Sequence, residues 1–160
     1  MLKRFLYAAA LCALAAPAFP QANPRGEAKA TVDGKSVTID YGRPSLKGRD
    51  MLAQAQVGQA WRLGADAATT LVTETDLAFG DVAVPKGEYI LTATKVDADS
   101  WQLNVLNKAD RAKVADIPLT RSSAPEDVET FTIELVGQKD KGKVEMMWGK
   151  TVLAADFVAK

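Results

Sequence analysis

The sequence predicts an all-β protein, an antiparallel β-sandwich of about eight to ten short strands with one short helix. Three observations carry this prediction. Apolar and polar residues alternate through most of the chain after residue 28, turn-forming residues separate the alternating stretches, and a single short segment has helical features. The chain has 160 residues, enough for one domain with a substantial core. We therefore expect a single domain over residues 28–160.

Residues 1–18 have the pattern of a cleavable signal peptide. Lys3 and Arg4 form a positive start, residues 5–16 are apolar, and the segment ends in Ala-Pro-Ala, the small-x-small pattern of a cleavage site after Ala18. The apolar run is shorter than the roughly 20 residues of a spanning helix. We expect a periplasmic or secreted protein with no membrane span after cleavage.

A cut after Ala22 is the second possibility. Residues 19–27 are rich in Pro, Gln, Asn and Gly, which predicts a flexible start to the mature chain.

Composition excludes several classes of function. The sequence contains no histidine, and its single cysteine, Cys12, lies in the predicted signal peptide. A zinc site of the usual kind and the Ser-His-Asp and Cys-His catalytic arrangements are therefore excluded. Without the signal peptide the chain has 18 basic and 20 acidic side chains, a net charge of −2. This balance argues against nucleic acid as a partner, and we expect no cofactor.

The first two strands are predicted as a hairpin. Asp33-Gly34 is a strong signal for a tight turn, and the residues on either side alternate in hydrophobicity. The alternating apolar residues are Ala30, Val32, Val37, Ile39 and Tyr41.

The segment that follows, residues 41–70, is the most polar part of the chain. Pro44 and Gly48 disfavour regular structure at its start. Asp50 is a suitable N-cap for a short helix over residues 51–57, with Gly58 ending it. A strand is expected near residues 69–75.

The rest of the chain predicts short strands separated by turns. Trp101 and Trp148 are in phase with aliphatic neighbours, which is typical of core residues. A loop with Pro125 is expected to separate two of the strands. The expected strands are residues 77–79, 82–84, 89–95, 101–107, 117–120, 128–136, 144–148 and 151–158.

The polar segment is the candidate site. Arginine side chains bind carboxylates and phosphates in two-point fashion, so a group of them suits an anionic ligand. Trp61 lies next to the charged residues, where it is a candidate for lining a pocket or stacking on a sugar ring. The alternative is that the arginines hold the loop in place by pairing with Asp50 and Asp66 and by capping backbone carbonyls. The candidate residues are Arg43, Lys47, Arg49, Trp61, Arg62 and Asp66.

Three functions remain open at this point. We favour an exported, non-catalytic binding or interaction domain that recognises an anionic small molecule or a cell-envelope component. The alternatives are a hydrolase that uses Asp50 or Asp66 without histidine, and a structural envelope protein. Asp97 and Asp99 have the spacing of alternate calcium ligands, but no further acid follows at the required intervals. We therefore expect a hairpin turn there, and no metal site.

Two motifs, YGRPSLKGR at residues 41–49 and WRLGADAATT at residues 61–70, resemble the bacterial domain-of-unknown-function family numbered 2911. Segments at residues 84–89, 101–108, 128–135 and 147–151 fit the same likeness, which covers nearly all of the mature chain. The resemblance implies an exported β-rich domain with no assigned activity. Asp66 and Ala67 stand where the family tends to carry Asn and Glu, and Arg111 and its polar or small neighbours stand where it often has Trp and Tyr.

Overall fold

The computed structural model describes residues 22–160, so the predicted signal peptide lies outside the described part of the chain. Strands and turns make up this part, and no helix occurs in it. The all-β prediction is confirmed. The ten strands are β1 Arg25–Val32, β2 Lys35–Gly42, β3 Ala60–Trp61, β4 Thr69–Thr73, β5 Leu77–Phe79, β6 Val82–Val84, β7 Gly87–Lys95, β8 Trp101–Asn107, β9 Lys113–Gln138 and β10 Lys141–Ala159.

The predicted hairpin is formed by β1 and β2. Asp33 and Gly34 both have positive φ, 47° and 71°, as a two-residue turn between right-twisted strands requires. The strands pair from Val32 with Lys35 back to Arg25 with Gly42. The strand thus begins at Arg25, and the last three residues of the predicted flexible start are paired in the sheet.

All pairs between named strands are antiparallel. The strand order is β1-β2-β4-β7-β8-β9-β10-β5-β6. The two-residue β3 pairs with the last part of β7, where β4 no longer pairs with it. The first part of β9 pairs with β8, whereas its later part pairs with β10. This one long strand therefore belongs to both halves of the sheet.

A bulge interrupts β9 where a loop was predicted. Ser123 pairs with Thr151 and Val128 with Gly149, so residues 124–127 of β9 stand opposite Lys150 alone. Pro125, which has no N–H to donate, is accommodated in this unpaired stretch. Residues 117–136 are consequently one bent strand, and the predicted loop is the bulge.

The sheet folds back so that β9 returns to the first hairpin. Asp33 N donates to Lys139 O at 2.7 Å, and the Tyr41 hydroxyl donates to Ile133 O at 3.2 Å. The core lies between the two layers formed in this way. Phe131 is fully buried in it, with its ring 5.6 Å from that of Tyr41 in an edge-on arrangement.

The short helix predicted over residues 51–57 is wrong. Asp50 does act as a cap, since its Oδ1 accepts from Ala53 N at 2.9 Å, but only turns follow. The chain then reaches the edge of β7, where Gly58 N donates to Lys95 O at 2.9 Å. Initiating a helix is costly and one turn makes few hydrogen bonds, so pairing with the sheet wins over extending the turn.

Candidate functional site

Arg43 is held against the second layer. Its Nε and Nη2 donate to Phe131 O at 3.4 Å and to Thr132 Oγ1 at 3.3 Å. Its aliphatic part covers Gly26, where a Cβ would lie 2.6 Å from Arg43 Cδ. The guanidinium therefore serves to attach the end of β2 to β9.

The backbone after Arg43 strengthens this attachment. Phe131 N donates to Pro44 O and Leu46 N donates to Glu129 O, both at 2.9 Å. Ser45 and Thr130 form an antiparallel bridge between these bonds. Residues 43–46, which we call the anchored arm, thus act as a short extra strand along β9.

Arg62 and Asp66 belong to a second local structure, the loop before β4. Arg62 Nη1 donates to the carbonyl of Asp66 at 3.1 Å. The carboxylate of Asp66 accepts from the backbone N of Asn23 at 2.8 Å and from its Nδ2 at 3.3 Å. Asp66 has φ 62°, a left-handed conformation that Asp tolerates better than most residues. The pair fixes this loop and joins it to the start of the described chain.

Lys47 and Arg49 are exposed and lie beside the bulge of β9. Lys47 contributes its backbone N, which donates to Glu129 Oε1 at 3.0 Å. Arg49 lines a cavity of about 360 Å³, which we call the bulge cavity. The cavity lining consists of Leu46, Gly48, Arg49, Asp50, Asp127, Glu129, Gly149 and Lys150.

The bulge cavity is lined by charges of both signs. Three carboxylates, of Asp50, Asp127 and Glu129, accompany the two cationic groups of Arg49 and Lys150. Within residues 22–160 none of these five groups forms an ion pair. A ligand with several negative charges meets more repulsion than attraction there.

The predicted charged residues therefore have three different sets of partners. Arg43 contacts β9, Arg62 and Asp66 stabilise the loop before β4, and Arg49 faces the bulge cavity with Lys47 beside it. Asp50 and Asp66, the candidate acids of a hydrolase, each accept backbone hydrogen bonds in separate turns.

Trp61 is placed differently from the charged residues. It is partly exposed and stacks on Trp148, with ring centroids 5.8 Å apart and an interplanar angle of 13°. The Phe131 ring meets it edge-on at 5.1 Å and 69°. Trp148 is itself fixed, since its Nε1 donates to Glu129 O at 3.3 Å. The core thus holds one indole rigidly at the surface.

This indole lines a second cavity of about 300 Å³, which we call the Trp61 cavity. Its lining combines an aromatic ring and aliphatic side chains with three carboxamides, and it contains no ionisable group. The Trp61 cavity is lined by Met51, Leu52, Gln54, Ala55, Gln56, Gln59, Ala60 and Trp61. The volume lies at the low end of the roughly 300–1,000 Å³ that is typical of ligand pockets.

The three glutamines were not among the residues predicted from the sequence, because those candidates were charged residues and their tryptophan neighbour. All three are exposed, and in the described part of the chain their side chains form no hydrogen bond to another protein group. The signal available was their spacing: Gln54, Gln56 and Gln59 all occur in the eight residues before Trp61. The residues of the bulge cavity on β9 and β10 were missed because no local pattern connects them with the polar segment.

Asp97 and Asp99 form the expected hairpin turn. Asp97 Oδ1 accepts from Asp99 N at 2.9 Å and from Ser100 N at 2.8 Å. The Asp99 N–H, followed by hydrogen bonds from the side chain and backbone of Ser100, lowers the pKa of Asp97 below its ordinary value. In residues 22–160 there is no group of three or more acidic side chains that could hold a metal ion.

Comparisons with known proteins complete this description. No helix within residues 22–160 has the length and hydrophobicity needed to cross a membrane. No curated protein and no solved structure gives a significant match to the chain. A family model does match, over residues 23–157, and this range includes every residue of both cavities. The chain therefore belongs to the family described as "Protein of unknown function (DUF2911)".

Proposed function

We propose that this chain is an exported, non-catalytic binding domain that recognises a cell-envelope component at the Trp61 cavity. The observation that carries the proposal is the placement of Trp61, partly exposed and fixed by Trp148 and Phe131. A solvent-accessible aromatic side chain that is already ordered loses little entropy when a ligand packs on it. The surrounding amides supply hydrogen-bonding groups that fix orientation.

Export is supported by the signal pattern of residues 1–18. A mature chain beginning at Phe19 would work in the periplasm or outside the cell, where envelope components are accessible. Mass spectrometry of the protein from the periplasmic fraction tests this. A mass starting at Phe19 is expected, one starting at Asn23 indicates the second cut, and an intact Met1 start in the cytoplasm would contradict export.

A non-catalytic role is supported by how the acids are used. Asp50 caps a turn and Asp66 accepts hydrogen bonds from Asn23, so each carboxylate already has a structural partner of its own. The absence of histidine removes the side chain that most often performs this chemistry near neutral pH.

The binding test is co-sedimentation of the mature chain with purified peptidoglycan sacculi and, separately, with vesicles of outer-membrane lipid. We expect the wild-type protein to sediment with one of these materials. Trp61→Ala should lower the affinity for that material at least about tenfold, or 1.4 kcal/mol. Trp61→Phe keeps an aromatic ring and should retain part of the binding. Equal binding by Trp61→Ala and wild type, with both folded by circular dichroism, would overturn the proposal.

A small anionic ligand is the second candidate, at the bulge cavity. The observation in its favour is that Arg49 and Lys150 line one cavity without forming an ion pair within residues 22–160. The three carboxylates in the same lining weaken the case. Calorimetry with citrate and inorganic phosphate would decide: binding that Arg49→Ala abolishes and Trp61→Ala leaves intact would favour this site.

A further inference from the structure

The Trp61 cavity is uncharged in a chain of which 25% of residues are charged. None of its eight lining residues carries an ionisable side chain. An ionic group moving into this cavity would lose hydration without gaining a counter-charge, which is unfavourable. The lining therefore favours a neutral ligand over an ionic one.

The polar groups of the cavity are of one kind. Gln54, Gln56 and Gln59 each offer a carbonyl oxygen and an amide NH₂, so each can accept and donate. A hydroxyl group also both accepts and donates hydrogen bonds. Two neighbouring hydroxyls of a ligand can therefore pair with the oxygen and the NH₂ of one carboxamide. Since these amides make no hydrogen bond to protein groups in the described chain, a ligand does not have to displace an internal partner.

The apolar surface of the cavity is an aromatic ring with an aliphatic neighbour. Trp61 supplies the part of its indole that Trp148 and Phe131 leave exposed, and Leu52, 6% exposed, forms part of the wall beside it. The C–H groups on one face of a sugar ring form a flat, weakly positive surface that complements the negative face of an indole. A planar heterocycle also stacks on indole and can pair with one carboxamide, but three separate carboxamides are matched better by the several hydroxyls of a sugar.

From these three features we propose that the Trp61 cavity binds a neutral sugar ring, such as a hexose or an N-acetylhexosamine unit of an envelope glycan. This inference rests on the proposed function, whose ligand class it specifies. The ring packs on Trp61, its hydroxyls pair with the glutamine amides, and the volume of about 300 Å³ limits the site to the end or a single unit of a chain.

The test uses the mature chain and soluble probes: glucose, galactose, N-acetylglucosamine and glucuronic acid, with glycerol as a control polyol. Tryptophan fluorescence and chemical-shift mapping report binding directly at the indole. We expect at least one neutral sugar to bind with a dissociation constant of about 1 mM, equivalent to −4.1 kcal/mol. Glucuronic acid should bind more weakly than glucose, and the affinity of the neutral sugar should not change with salt.

Matched variants locate the site. Gln56→Ala and Gln59→Ala should each weaken sugar binding several-fold, and Trp61→Ala should abolish it. Gln138→Ala, which removes an exposed glutamine outside the cavity, should bind like the wild type. Stability measurements on each variant separate loss of binding from loss of folding.

The outcomes distinguish this inference from the proposed function. If sacculi or lipid vesicles bind in a Trp61-dependent manner but no neutral sugar binds or competes, the sugar inference is overturned and the binding role stands. If only glucuronic acid binds, or if binding weakens steeply with salt, the inference is likewise overturned. If a neutral sugar binds at Trp61 but no envelope material does, the ligand class is supported and the envelope role fails.

Discussion

The polar segment between β2 and β4 contains two arms that are held in different ways. The anchored arm, residues 43–46, is bound to β9 by backbone hydrogen bonds on both sides of the Ser45–Thr130 bridge and by the side chain of Arg43. Residues 51–61, which we call the open arm, begin with one capped turn, touch the sheet edge at Val57 and Gly58, and pair with β7 as a strand only in their last two residues. Arg43, the one charged residue of the anchored arm, makes contacts that hold the fold together, whereas the open arm lines the Trp61 cavity.

This contrast has a physical origin. Arginine reaches far and donates several hydrogen bonds, so it readily finds carbonyl partners on a neighbouring strand. The three glutamine side chains of the open arm are exposed and form no hydrogen bond to another protein group in residues 22–160, although the backbone of this arm reaches the edge of β7. A high density of charge in a sequence therefore need not mark a binding site. Here Arg43 attaches two layers, and Arg62 and Asp66 hold a loop.

The most severe test removes the support that both arms share. Phe131 is fully buried and contacts Tyr41, Trp61 and Trp148. Phe131→Ala should lower the free energy of unfolding by about 3–5 kcal/mol, since it leaves a cavity between the layers. Urea denaturation measures this, with Val136→Ala, 55% exposed, as a control that should change by less than about 0.5 kcal/mol. A loss below about 1 kcal/mol would mean that the arms are held independently of this ring.

The second test compares two arginines of the same segment. Arg43→Ala removes hydrogen bonds to Phe131 O and Thr132 Oγ1 together with the packing over Gly26, and should cost about 1–2 kcal/mol. Arg49→Ala removes an exposed side chain and should change stability by less than about 0.5 kcal/mol. Thermal and urea unfolding measure both losses. Equal losses would mean that Arg43 contributes no more to the fold than the exposed Arg49.

A smaller effect is expected at Asp50, which caps the first turn of the open arm. Asp50→Ala removes the acceptor for Ala53 N, and because no helix follows, the loss should be about 0.5 kcal/mol, the low end for a capping residue. Asp50→Asn keeps an acceptor oxygen and should be close to wild type. Urea unfolding of both variants gives these values. A loss of several kcal/mol in both would indicate that the carboxylate has a further partner.

The smallest effect concerns Asp97, a turn-capping aspartate outside the segment, and it depends on pH. Hydrogen bonds from Asp99 and Ser100 lower its folded-state pKa, so it stabilises the fold at pH values above its unfolded pKa. This contribution is lost as pH falls through the folded pKa. Unfolding of Asp97→Asn and wild type should therefore differ slightly at neutral pH and converge in acid. A difference that grew on acidification would contradict this sign.

The parts of the fold that local patterns encode were predictable. Asp33-Gly34 specifies its own turn, and the alternation around Phe131 and Ile133 specifies a strand with one buried face. The continuity of β9 was not predictable, because a proline such as Pro125 usually ends a strand. Only the structure shows that it lies in a bulge. The absence of the helix was not predictable either. The Asp50 cap is a local signal, whereas the contact of this segment with the edge of β7 depends on distant parts of the chain.

The candidate site was predictable only in part. Trp61 was a candidate for lining a pocket or stacking on a sugar ring, and it lies in the lining of the Trp61 cavity. Its binding role stays a prediction. The partners of Arg43 and Arg62 follow from contacts between distant parts of the chain, which no local spacing reveals. The three glutamines were visible in the sequence, but uncharged amides give no electrostatic signal.

The pairing of β9 with strands of both layers determines how the protein unfolds. A single strand provides hydrogen-bonding edges to β8 in one layer and to β10 in the other, so neither layer can melt and leave its neighbour intact. Unfolding should accordingly be one cooperative transition, seen at the same denaturant concentration by fluorescence and circular dichroism. The amide protons near Phe131 should then exchange with solvent only when the whole molecule opens.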